Sequence, residues 1–233
     1  MILLDSHCVS GDRIEMHVLN RVITVLLFAG AVSATAEFKA DDGTYRRVDY
    51  KTQSLQEQRF RAAGDAYKRG DYKTAAAEFH ELAENGDHRA MYALGSMYAA
   101  GNGVPQDYTL AMKWFLAAAR YGRPDAEFKV GLLYLQGLGV KQNARRAINW
   151  FGKSAQKGYV DAQYYVGTMY AEGNGVTKDN VGACAWLNLA ASKGHPEART
   201  LLDTLSANMT PEQLAEAGRL TDAYRAQFSK QPQ

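Results

Sequence analysis

Cysteine is almost missing from this chain: its 233 residues hold only Cys8 and Cys184. Cys8 falls in a leading segment read below as removed, so one thiol is left and no intrachain disulfide can form. Charge of one sign is missing too, since 27 Lys and Arg face 25 Asp and Glu for a net of +2. That balance excludes a nucleic-acid footprint, which needs cations clustered along one face. The chain also lacks an apolar run that could span a bilayer: the longest, VITVLLFAGAV at 22–32, has 11 residues where about 20 are needed. The histidines, His7, His17, His80, His88 and His195, make no H-E-x-x-H and no pair sharing a helix face with a carboxylate, so neither metal nor cofactor is expected. His88 and His195 fall near the starts of helices, where exposed polar residues are expected.

The short apolar run has Arg21 before it and Ser33-Ala34-Thr35-Ala36 after it. Small residues in an A-x-A arrangement fit a signal peptidase, which predicts cleavage between Ala36 and Glu37 and a periplasmic or secreted product. The other reading of the run is an uncleaved anchor. Asp5, Asp12 and Glu15 would put acid where such a signal needs basic charge, so Met16 is the expected start, with MHVLNR as the basic region. Residues 1–36 are thus an extension plus a removed signal, the mature form has no stable membrane span, and the polar stretch 37–53 is a linker or an extended arm. Cys184, between Ala183 and Ala185 with no adjacent base, reads as a small buried hydrophobe.

What the chain has in plenty is repetition. Three similar segments open at Ala90, Ala126 and Ala162, a constant spacing of 36, and Ala198 opens a fourth. A fixed period in units too small to close a core predicts an all-α solenoid of antiparallel helix-turn-helix repeats. The units are 90–125, 126–161 and 162–197, with a shortened helix pair over 54–89 and capping helices over 198–233.

Punctuation divides each unit into helices A and B. An acid opens helix A (Asp87, Asp125, Asp161), and Tyr92, Met97 and Tyr98 with their counterparts recur on one helical face. Helix A ends at about Ala100, Gln136 or Glu172 in a G-x-G-V turn, whose glycines suit a left-handed cap and whose valine can tuck inward. Helix B is capped by Asp107, Asn143 or Asp179, buries Ala111, Ala147 or Ala183, and stops at Gly122, Gly158 or Gly194. Gly95, Gly131 and Gly167 interrupt every A helix at a cost of about 1 kcal/mol each, so a close helix approach is expected there. The matching Trp114, Trp150 and Trp186 are expected to fill the space above them. Gly64 and Tyr67 repeat the pattern in the shortened unit, where Ser54-Leu-Gln-Glu57 offers a capping box. Thr210-Pro211-Glu212-Gln213 predicts a last helix over 211–228.

The pattern A-x-x-x-L/V-G-x-x-Y-x-x-G-x-G-V-x-x-D/N-x-x-x-A-x-x-W-x-x-x-A/S-A-x-x-G resembles the Sel-one-like repeat, a relative of the tetratricopeptide repeat, over about residues 60–200. Gly95, Tyr98, Trp114, Gly131, Tyr134, Trp150, Gly167, Tyr170 and Trp186 carry the likeness. It implies a right-handed superhelix, a tetratricopeptide-like character for the pair at 54–89, and an adaptor that gathers or regulates other proteins, often in envelope or signalling pathways of bacteria. A disulfide-rich branch of that family, associated with penicillin binding or hydrolysis, has paired cysteines that this chain lacks.

Chemistry is sparse. Ser154-Ala-Gln-Lys157 matches S-x-x-K, but neither S-D-N nor K-T-G accompanies it, and Ala118 and Ala190 stand at the serine's place in the sister units. Ser154 therefore reads as a packing residue and Lys157 as a solvated helix end. The G-x-G turns follow a helix, not a strand, and lack the rest of a phosphate loop. In the resembled superhelix the A helices line the concave side, which makes Ser96, Lys129, Leu132, Gln136, Tyr165, Thr168 and Glu172 candidate partner contacts, with Tyr165 as the anchor. The expected function is an exported, non-catalytic scaffold for a protein or peptide. The alternative is an envelope enzyme, of serine β-lactamase type, or a cell-wall or β-lactam binder using the same groove.

Overall fold

The sequence period reappears as a helix period. The computed structural model describes residues 24–25, 35–39 and 45–229, in two units, Met1–Glu57 and Gln58–Gln233. In the first unit, strands β1 (Thr24–Val25), β2 (Thr35–Lys39) and β3 (Tyr45–Asp49) form an antiparallel sheet in that order, with Thr35 opposite Asp49 and Lys39 opposite Tyr45. Within the stretch 37–53, expected to be a linker or an extended arm, residues 37–39 and 45–49 are paired strands and residues 50–53 open a helix. The Ala36–Glu37 bond lies within β2, while nearly all of the expected signal falls outside the described residues. Helix α1 (Tyr50–Lys68) follows β3 directly. No loop is left for a cap at Ser54, and Ser54 and Glu57 lie inside the helix.

Gln58–Gln233 holds an α-solenoid. Helix α2 (Tyr72–Glu84) completes the shortened unit, after a turn at Gly70 and an N-cap at Asp71. The A helices are α3 (His88–Ala100), α5 (Pro124–Gln136) and α7 (Val160–Glu172); the B helices are α4 (Tyr108–Ala119), α6 (Ala144–Gln156) and α8 (Asn180–Ser192). Then come α9 (Pro196–Ser206) and α10 (Pro211–Phe228). No helix among the described residues is long and apolar enough to cross a membrane.

The start signals act as chemistry dictates, with two exceptions. Asp107, Asn143 and Asp179 each accept a backbone N–H of the first turn of a B helix, and Asp87 does so for α3. Asp125 and Asp161 are not caps: they lie within the first turns of α5 and α7, behind Arg123 and Tyr159, which have no capping side-chain bond. A proline at the first position of α5 moves the helix start ahead of the acid, which then acts on the dipole.

The G-x-G-V turn has two separate demands, shown by the second copy. Gly137 (φ 72°) returns its N–H to the Leu133 carbonyl and closes α5 in the left-handed conformation. Gly139 (φ 68°) passes against the Tyr108 carbonyl at the start of α4 in the unit before, where a Cβ would collide with backbone. Each turn therefore braces the preceding unit.

Close approach at the mid-helix glycines is also present, but the occupant is one residue further on. A Cβ on Gly95 would sit 2.9 Å from the Phe115 ring, on Gly131 2.6 Å from Phe151, and on Gly167 2.7 Å from Leu187. The tryptophans are displaced because residue i+4 from Ala111, Ala147 or Ala183 faces helix A squarely, while residue i+3 is turned about 100° away from its neighbour. Phe115, Phe151 and Leu187 are wholly buried, as are the three alanines.

Helix α10 starts with the expected capping box between Thr210 and Gln213. It packs on α8 instead of forming an A–B pair with α9. Thr221 reaches Ala185 and Asn188, and the Tyr224 and Phe228 rings lie 4.7 and 5.5 Å from Trp186.

Candidate partner-binding groove

The packing of α10 onto α8 leaves a groove between α10 and α6. Its volume is about 930 Å³. The walls are Arg145, Arg146, Asn149, Trp150 and Lys153 from α6 and Tyr224, Gln227 and Phe228 from α10, with Tyr170, Val166 and Trp186 between them. Tyr134 and the Gly175-Val176 turn close one end. Among the described residues no carboxylate lines it.

Each wall residue follows from local sequence. Asn143 caps α6, so Arg145 and Arg146 fall in its first turn, on the exposed side, while Ala147 and Phe151 are buried on the other. Lys153 lies two turns along the same side and holds its ammonium 4.2 Å from the centre of the Trp150 ring. Arg146 stacks 5.5 Å from the Tyr134 ring and donates to its hydroxyl. The Trp150 side chain is half-buried, whereas Trp114 and Trp186 are covered. Burial pushes the Tyr224 hydroxyl pKa above its usual value, so the phenol stays neutral at physiological pH. The groove thus combines flat apolar rings with three solvent-facing cations.

The model of the Sel1 repeat matches residues 88–122, 124–159 and 160–195. The chain carries three Sel1 repeats. It is 32% identical to the crystal structure of c5321, a protective antigen present in uropathogenic Escherichia coli strains displaying an SLR fold, with a TM-score of 0.64 over 74% of this chain and 40% of that one. It is 28% identical to a Sel1 repeat protein from Oxalobacter formigenes, with a TM-score of 0.58 over 60% of this chain and 58% of that one. The chain therefore spans about half the length of these two structures. A search of curated proteins found no match. Sel1 units begin at 88, 124 and 160, two residues ahead of the landmark alanines and level with the starts of α3, α5 and α7.

The A-helix positions read as contacts do not line the groove. The Ser96 and Thr168 hydroxyls donate to the Tyr92 and Tyr164 carbonyls of their own helices. Leu132 packs into the core. Tyr165 is half-buried, its ring 5.4 Å from Phe128 and 5.1 Å from Phe151, so it is a packing ring more than an exposed anchor. Gln136 and Glu172 are exposed at the ends of α5 and α7, and Lys129 is half-exposed. The groove instead uses Tyr134, Trp150, Tyr170 and Trp186, which the repeat pattern marked as scaffold. What the period does not explain is the cationic set: positions 145, 146 and 153 correspond to Thr109, Leu110 and Ala117 in one sister unit and to Val181, Gly182 and Leu189 in the other.

Ser154 and Lys157 are engaged separately. The Ser154 hydroxyl, fully buried, donates to the Pro124 carbonyl at 2.6 Å. Lys157 is not a free helix end: it bonds the Gly122 carbonyl at 2.9 Å and buried Glu127 at 2.6 Å. Burial drives the Glu127 pKa up despite Lys157 and Lys153, which pull it down. His195 departs from the exposed reading as well. It caps α9 through Nδ1, stacks 4.4 Å from the Tyr164 ring and is largely buried. His88 lies against Tyr121 and within 3.4 Å of Arg123. Among the described residues no cluster of His, Cys, Asp and Glu is arranged to hold a metal.

Proposed function

We propose that this protein is an exported, non-catalytic scaffold that binds a protein or peptide partner in the groove between α6 and α10. Sel1-repeat proteins generally mediate protein–protein interaction, and their fold is typically a scaffold without catalysis. The groove's lining supports the site: aromatic rings beside arginine side chains are among the groups that dominate interface energetics. The apolar run ahead of Ser33-Ala34-Thr35-Ala36 supports export. A similar protein described as a protective antigen fits a chain that leaves the cytoplasm.

Two experiments test this reading. Fractionation with N-terminal sequencing should find a chain beginning at Glu37 in the periplasmic or secreted fraction. A cytoplasmic chain that keeps residues 16–36 would refute export. Capture from envelope extract by the processed protein, repeated with Trp150→Ala plus Lys153→Glu, should lose the partner. Loss with Tyr165→Ala plus Lys129→Glu in its place would move the site to the A-helix face.

A further inference from the structure

The three units of this protein give an internal comparison at the groove. Each B helix carries a tryptophan at the same position, and two of the three have an aromatic neighbour from another helix. His80 of α2 lies 5.8 Å from Trp114, edge to face. Phe228 of α10 stacks on Trp186 and Tyr224 lies tilted against it. Trp150 has only the Lys153 ammonium above it, and among the described residues no ring is set against it. The middle unit's tryptophan therefore stays half-buried and faces the groove, whereas rings from α2 and from α10 lie against its sisters.

Charge marks the same place. Arg145, Arg146 and Lys153 are exposed, no carboxylate pairs with them among the described residues, and the sister units hold neutral residues at all three positions. A scaffold role does not require these cations, because α4 and α8 stack without them. Three cations that form no ion pair among the described residues, beside a half-buried indole that faces the groove, are complementary to an acidic segment carrying an aromatic side chain. Building on the scaffold reading above, we propose that the groove receives an acidic segment of a partner protein, which sets an aromatic ring on Trp150 and its carboxylates on Arg145, Arg146 and Lys153. Helix α10 is the internal precedent, since it covers Trp186 with rings of its own.

The test uses a short fluorescein-labelled peptide in which glutamates flank a central tryptophan, titrated by anisotropy against the processed protein. Control peptides carry lysine for glutamate, or alanine for the tryptophan. The acidic aromatic peptide should bind at least tenfold more tightly than either control, the gap expected for several exposed charge pairs plus one buried ring. Arg145→Glu with Lys153→Glu should reverse the preference so that the lysine peptide binds better. Both positions are exposed, so that variant should keep the parent melting curve, whereas Trp150→Ala touches the core and serves only as a second check. Equal binding of acidic and basic peptides would overturn the proposal. So would tighter binding, at the same residues, of oligothymidylate or of phosphatidylglycerol vesicles. Groove-dependent capture of a protein without binding of the acidic peptide would sink this inference and leave the scaffold reading standing. Absence of any groove-dependent capture would sink that reading itself.

Discussion

Gly64 and Gly131 hold the same place in the repeat pattern, yet the structure gives them opposite expectations on conversion to alanine. Alanine gains about 1 kcal/mol over glycine in a helix interior. At Gly64, in α1, an added Cβ meets nothing within 4 Å, so the gain is realised. At Gly131 the Cβ would lie 2.6 Å from two carbons of the Phe151 ring, against the roughly 3.5–4 Å that carbon contacts prefer. Phe151 is wholly buried, with the Phe128 and Tyr165 rings behind it, so it has nowhere to retreat. Overpacking of this kind costs about 1–3 kcal/mol and outweighs the helix gain. With about 2–4 °C of melting temperature per kcal/mol for a domain of this size, Gly64→Ala should melt about 2–4 °C above the parent. Gly131→Ala should melt below it. Circular dichroism at 222 nm reads both, and equal upward shifts would refute the close-approach argument.

Other expectations follow from single contacts. Glu127 has its pKa raised by burial, so the folded state holds the proton more tightly than the unfolded state. Its contribution is fully present below the ordinary carboxylate pKa and falls as pH rises through the raised value. Lys157→Met removes the opposing cation, should cost about 1–3 kcal/mol at neutral pH, and should steepen that fall. Urea midpoints across a pH series measure it, and a profile parallel to the parent's would count against the buried pair. The Cys184 thiol is buried, with its pKa pushed up by desolvation, so in a Cys8→Ser chain Ellman's reagent should react only at the unfolding rate. Prompt labelling under native conditions would contradict that burial. Asp107→Ala removes an acceptor for the Thr109 and Leu110 amides and should cost about 1 kcal/mol, read by the same urea melts. No loss would mean the cap bonds are idle. Stopping the chain after Met209 uncovers Trp186, so its fluorescence should shift to the red and the protein should aggregate. An unshifted spectrum would mean α10 does not cover that ring.

Local signals fixed most of the helix boundaries. Ala100, Gln136 and Glu172 end the A helices where the glycine turns begin, and Asp107, Asn143 and Asp179 open the B helices, because caps are decided by neighbouring residues alone. The residue over the mid-helix glycines was legible only in part. Trp and Phe are adjacent in two of the units, and a one-residue step turns the side chain to another face. The partner of Lys157 and the docking of α10 on α8 were not legible, since both join residues about 30 or more positions apart. The groove had a usable trace in sequence: aligned by period, Arg145, Arg146 and Lys153 depart together from their sister positions. That trace differs in kind from the repeat signature, which records only what stacking requires.

Lys157 bonds the Gly122 carbonyl and Lys193 bonds the Gly158 carbonyl, each across the same interval of 35 residues. A duplicated copy inserted at such a seam would find its hydrogen-bond donors and acceptors waiting on both sides. At the C-terminal end, α10 folds across α8 and denies an added copy the surface it would stack on. Lengthening by gene duplication is therefore directed to the interior of the array, where each inserted copy would add one more helix pair with both of its seams already matched.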